Sequence, residues 1–179
     1  MEDIVPARWQ DETRVDAVEQ IARRWRVVAP ALDSSPMLVI GRIGRLAACV
    51  DARLRPPFAA AGLATGDFDL LAALRRQDPP QELSPGDLAD AMLVTTGATT
   101  KRIDRLEAQA LVGRRSSTTD KRGRIVALTE AGRALVDELM PVHLDNEASI
   151  LAALTPTQRA DLAQLLAILL ASLEPPPQP

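Results

Sequence analysis

Residues 83–132 read LSPGDLADAMLVTTGATTKRIDRLEAQALVGRRSSTTDKRGRIVALTEAG, and the rest of the chain takes its meaning from this stretch. Ser84-Pro85 sets a cap residue before a proline at the first helical position, so a helix opens there and runs to about Met92, turning Leu88, Ala91 and Met92 inward. Leu93-Val94 lead directly to Thr95 or Thr96, the cap of a second helix that reaches about Gln109 with Ile103, Leu106 and Ala110 inward. Two helices joined so tightly form a helix-turn-helix. The period then changes. Residues 111–116 and 124–128 are β-compatible and are joined by the polar tip Ser117 to Gly123, which reads as a hairpin. A hairpin directly behind a helix-turn-helix is a wing.

Upstream, Val15, Val18, Ile21, Ala22 and Trp25 recur at spacings of three and four, predicting an amphipathic helix over about 13–28. Ser35-Pro36 opens a second helix that carries Met37, Ile40, Ile43, Leu46, Ala47, Val50 and Leu54 inward, and Arg55-Pro56-Pro57 is expected to close it. A third helix spans about 65–76 and ends before Pro79-Pro80. Downstream, a long helix begins at Thr129, with Pro141 expected to kink or interrupt it. Thr155-Pro156-Thr157-Gln158 is a capping box for a last helix whose Leu162, Leu165, Leu166, Leu169, Leu170 and Leu173 form one stripe. The proline-rich tail, 175–179, is expected to be disordered.

The fold class is therefore mainly α with a small β-hairpin wing: a winged helix-turn-helix over 61–130, with N-terminal helices (1–60) and C-terminal helices (131–174) that carry more apolar surface than one small lobe can cover. Such a surface predicts a homodimer. Aromatic residues make up 2% of the 179-residue chain, with no Tyr, so the core must be aliphatic, which suits helices better than a β-sandwich. The single cysteine, Cys49, excludes an intramolecular disulfide; it is expected to be buried in its helix. No apolar run reaches the roughly 20 residues of a membrane span and no targeting segment is legible, so a cytoplasmic location without membrane contact is expected.

The formal net charge of −3 conceals an uneven distribution. Between Thr95 and Arg124 there are eight cations and three carboxylates, a local charge of +5, which leaves −8 for the remainder. A basic segment on an acidic body suits a face that meets phosphates. The second helix of the pair would enter the major groove, with Thr96, Thr99, Thr100 and Lys101 as candidates for base edges or phosphates and Arg105 beside them. Arg122 and Arg124 on the wing would reach the adjacent minor groove. Asp120 would pair with a wing arginine and hold the loop in shape, or simply form the turn. Partners of this face would be double-stranded operator DNA.

Asp120-Lys121-Arg122-Gly123, followed by Leu128-Thr129-Glu130-Ala131-Gly132, is similar to the Asp-x-Arg-Gly and Leu-Thr-x-x-Gly elements of MarR-family winged-helix regulators. Ser35-Pro36-Met37, Ile40-Gly41-Arg42, Gly66-Asp67-Phe68-Asp69-Leu70-Leu71 and Leu74-Arg75-Arg76 resemble the PecS and urate-responsive branch, so the resemblance covers about residues 18–145. It implies a homodimer built from both chain ends, a palindromic operator, and release of DNA, as a repressor would show, when a small molecule binds. The ligand site it implies falls on Trp25, Asp69 and Arg102, with Trp25 stacking on a flat ring and an Asp69–Arg102 pair coupling ligand to the reading helix. Urate, a related purine and a phenolic acid all suit these groups. Lys101 stands where the branch often has Asn, Ala110 where a glycine usually ends the reading helix, and His143 where the branch often has a histidine.

An enzyme is disfavoured: one His, one Cys and no glycine-rich phosphate loop provide no nucleophile-base pair, metal set or dinucleotide fingerprint, and no cofactor is implied. Two other readings stand beside the ligand-responsive regulator. One is a helical interaction module without DNA binding; the other is a thiol-sensing regulator acting through Cys49.

Overall fold

The computed structural model describes residues 15–116 and 124–173. Two compact units divide at Ala52/Arg53. In the N-terminal unit α1 (Ala17–Val28) is capped by Asp16, whose carboxylate accepts the Glu19 backbone N–H at 2.8 Å. That carboxylate also takes the Arg42 Nε of α2 (Pro36–Ala60) at 2.8 Å. The two bonds hold the Asp16 carboxyl below its usual range, the cap first and Arg42 second. The Ser34 hydroxyl donates to the Ala22 carbonyl at 3.2 Å. Among the described residues of the unit these two are the buried ones; Ile21, Trp25, Ile40, Ile43 and Leu46 remain exposed.

Two expectations about α2 are corrected. The helix does not close at Pro56-Pro57 but continues through both to Ala60. Proline cannot donate, so the carbonyls of Ala52 and Arg53 lose their helical partners, yet the fixed φ of proline is itself helical and the turn persists. Cys49 is exposed on α2 rather than buried, because α2 buries none of its residues among the described ones.

The C-terminal unit holds the core. In α3 (Asp67–Arg75), Phe68, Leu70, Leu71 and Leu74 pack with Leu88 of α4 (Pro85–Ala91), Ile103 and Leu106 of α5 (Thr96–Ala108), Val112 of β2 (Val112–Ser116), Val126 of β3 (Arg124–Leu128), and Val136 and Leu139 of α6 (Glu130–Ile150). Ser84 and Asp87 form a reciprocal capping box on α4, and the Thr95 hydroxyl accepts from Ala98 N–H at the start of α5. The helix-turn-helix is thus set by local signals that the sequence displays openly.

Behind it, β2 and β3 pair antiparallel from Val112 opposite Leu128 to Ser116 opposite Arg124. A strand the sequence reading missed, β1 (Glu82–Leu83), pairs with the other edge of β3. Two residues are too short for any periodicity to show. Ala110 is not an inner residue of α5: it follows the helix with φ +56°, the left-handed conformation that explains why glycine is expected there. Thr129 then ties hairpin to helix, its hydroxyl donating to the Ala110 carbonyl at 2.7 Å and accepting from Gly132 N–H at 3.0 Å. Gly132 packs so close to Leu111 that a Cβ would collide with its carbonyl oxygen.

Of the kink or interruption expected at Pro141, the interruption does not occur: α6 runs through the proline from Glu130 to Ile150. After one 3₁₀ turn (Leu151–Ala153), α7 (Pro156–Leu173) starts at the expected Thr155–Gln158 capping box. It buries none of its residues; Leu165, Leu166, Ile168, Leu170 and Leu173 are exposed. Among the described residues no helix is long and apolar enough to cross a membrane.

Candidate nucleic-acid interface and ligand cavity

One side of α5 is anchored in the core by Thr99, Ile103 and Leu106. Thr99, expected at the DNA, is therefore wholly buried, and its hydroxyl donates to the Thr95 carbonyl at 3.2 Å; it cannot reach a base edge. Thr96, Gly97, Thr100 and Lys101 are exposed, with the Thr100 hydroxyl bonded to the Thr96 carbonyl at 3.0 Å. Arg124 is exposed at the start of β3. Arg122 and Asp120 lie outside the described residues.

Much of the local positive charge is neutralised within the lobe. Arg105, expected to meet phosphate, instead holds Asp67 through two parallel bonds, Nε at 2.8 Å and Nη2 at 2.5 Å. Asp67 is wholly buried and also accepts the Ala64 N–H at 2.8 Å, closing the turn into α3. The bond to Asp67 pushes the Arg105 guanidinium above its ordinary value. Arg114 bridges Asp104 and Glu107 of α5, and Arg115 clasps Glu82 of β1. Of the cations described between 95 and 124, Lys101, Arg102 and Arg124 keep no carboxylate partner among the described residues.

Arg102 takes a different role. Its Nη1 donates to the Gly66 carbonyl at 3.3 Å and lies 3.9 Å from the Met92 sulfur. Gly66 has φ +80°, and a Cβ there would strike the Arg102 guanidinium, so a glycine serves both the turn and the contact. The structure does not pair Arg102 with Asp69. The ion pair between α3 and α5 is Asp67–Arg105, two and three residues away from the expected partners.

Asp69 is exposed and lines a cavity of about 370 Å³ with Phe68, Ala72, Arg76, Ala91, Met92, Met140, His143 and Leu144. Arg76 donates to the Ala91 carbonyl at 2.8 Å, fastening this wall to the end of α4. His143 sits edge-on to Phe68, 5.3 Å between ring centres, with Nε2 3.2 Å from Glu147 and a buried Nδ1 that has no hydrogen-bond partner among the described residues. Trp25 belongs to the N-terminal unit, half-exposed on a 280 Å³ pocket with Leu32, Asp33, Ser34 and Met37. Among the described residues no cluster of His, Cys, Asp or Glu is placed to hold a metal ion.

Comparison with known proteins bears on this geometry. A family model described as MarR family matches residues 61–123. The HTH-type transcriptional regulator PecS of Dickeya dadantii (strain 3937) is 34% identical over 149 residues, covering 83% of this chain and 90% of that protein. The chain belongs to the MarR family. Among solved structures, Sco3205 of Streptomyces coelicolor in complex with DNA superposes with a TM-score of 0.74 at 26% identity, covering 81% of this chain and 91% of that one. BpsR of Bordetella bronchiseptica, whose DNA binding is regulated by 6-hydroxynicotinic acid, gives a TM-score of 0.65 at 28% identity over 71% of this chain and 89% of that one.

This MarR-family chain is accordingly a winged-helix, DNA-binding transcriptional regulator, and its relatives are regulators rather than enzymes. Sequence reasoning missed Asp67, Arg76 and Arg114. Asp67 could have been suspected from its place between Gly66 and an apolar run, a poor position for a carboxylate without a partner. Arg76 and Arg114 carry no comparable signal.

Proposed function

We propose that the chain is a ligand-responsive repressor that binds a palindromic operator as a homodimer in the cytoplasm and releases it when a small aromatic anion, such as urate or a related flat heteroaromatic acid, binds. The observation that carries this reading is the cavity beside the helix-turn-helix. Met140 and the His143 ring give it apolar and aromatic lining, Arg76 offers a cation, and Asp69 can accept from a ring N–H, while Phe68, stacked on Phe58, forms the floor. Met92 lines the cavity and touches Arg102 of α5, so an occupant there bears on the helix that reads DNA. The homodimer is supported by the exposed apolar faces of α2 and α7. Trp25 and Arg102 are proposed as further effector residues alongside Asp69.

A shift assay on the DNA upstream of the protein's own gene, titrated with urate, 6-hydroxynicotinate and a phenolic acid, tests the reading. At least one of these compounds is expected to release the operator. Asp69→Asn and Trp25→Ala proteins should then bind the operator as the parent does while needing at least tenfold more compound. Release at unchanged concentration from both variants would overturn the assigned site.

A further inference from the structure

Helix α5 advances 100° per residue, so its buried and exposed residues define a wheel. Thr99, Ile103 and Leu106 mark the buried pole. Lys101 lies roughly 170° from their mean direction, closer to the opposite pole than any other residue of the first two turns. Thr100 falls on one flank, and Thr96 lies nearer the buried pole, exposed as the first residue of the helix. Arg105 falls on the other, where Asp67 holds it.

We infer that Lys101 is a specificity-determining residue that reads a guanine in the major groove, rather than a phosphate anchor. The inference rests on the operator-binding reading above and deepens it. A helix about 10–12 Å across fills a groove about 12 Å wide, so its flanks face the phosphate walls and its outer pole faces the base edges. Gly97, one turn earlier and near the same pole, has no atom within 4 Å of where a Cβ would stand, so it adds no bulk between helix and groove floor. Asp104, one turn later, would be the natural intrahelical partner for Lys101, but Arg114 holds that carboxylate. Lys101 is thereby left with an exposed ammonium and no carboxylate partner among the described residues. Guanine presents two acceptors, O6 and N7, on its major-groove edge, whereas adenine and cytosine place an amino donor there and thymine offers a single acceptor, O4, beside a methyl group, so an ammonium favours guanine.

The test is selection of duplexes from a randomised library by the full-length protein and its Lys101→Ala and Lys101→Arg variants. The parent and Lys101→Arg are expected to enrich guanine at one position of each half-site. Lys101→Ala should lose about tenfold of that preference while keeping the rest of the motif. Placing 7-deazaguanine at that position should weaken the parent and leave Lys101→Ala unaffected. If Lys101→Ala instead loses affinity equally for every sequence and keeps the full motif, Lys101 is a phosphate contact and the inference is overturned. A parent that enriches no motif overturns the operator-binding reading as well.

Discussion

Asp67, wholly buried at the start of α3, and Arg105, on α5, are joined by two parallel hydrogen bonds, and this pair fastens the reading helix to the cavity-bearing helix. Removing Arg105 leaves a carboxylate without its cation inside the lobe. Because the Arg105 side chain is 39% exposed, Arg105→Ala is expected to cost about 2 kcal/mol, below the roughly 3–5 kcal/mol of a fully buried pair. Urea unfolding measures this. The salt slope of operator binding should keep its parent value, whereas loss of a phosphate contact would flatten it by about 0.9.

Arg114 shields two carboxylates on the DNA-reading helix. Arg114→Ala should therefore weaken operator binding about tenfold at low salt by uncovering negative charge near phosphate, with a smaller deficit at high salt. Adding Asp104→Asn and Glu107→Gln to the same protein should restore most of the affinity in a fluorescence-anisotropy titration. No recovery would mean that Arg114 touches DNA itself.

Ala110 and Gly132 meet at the joint between α5 and the hairpin through Thr129 and Leu111. Ala110 sits at φ +56°, where a Cβ is strained, so Ala110→Gly is expected to stabilise the protein by about 0.5–1 kcal/mol. Gly132→Ala must displace the Leu111 backbone and should destabilise it by about 1–3 kcal/mol. Opposite shifts of the thermal midpoint are the expected readout.

Helix α7 leaves Leu166 and Leu170 exposed at 43% and 52%. If that face closes a homodimer, the Leu166→Glu/Leu170→Glu protein should sediment as a monomer at concentrations where the parent is dimeric, and its affinity for a two-half-site operator should fall at least a hundredfold. A variant that stays dimeric would place the interface elsewhere.

The helix-turn-helix was legible because its signals are local. Ser84, Thr95 and Thr129 each cap a helix with their own hydroxyl, and the leucine period of α7 declares its face without reference to any neighbour. Proline misled at Pro56-Pro57, where the missing donor argued for a closed helix, but its cost is limited and the helix continues on both sides. At Pro141, where a kink or an interruption was expected, the helix is not interrupted. Strand β1 stayed hidden since two residues have no period, and its existence depends on the free edge of β3.

By itself the sequence determined that a basic reading helix and a hairpin would follow one another, and that apolar helices would flank them. It did not determine which charges remain available. On α3, Asp67 and Asp69 lie about 200° apart, so one enters the core and the other lines the cavity. Only packing decides which carboxylate meets which arginine: Asp67 takes Arg105, Asp104 and Glu107 take Arg114, and Arg102 turns to a carbonyl. The physical reason is distance. Ion pairs form across turns of different elements, and a chain read residue by residue carries the charges without the few ångströms that let them cancel.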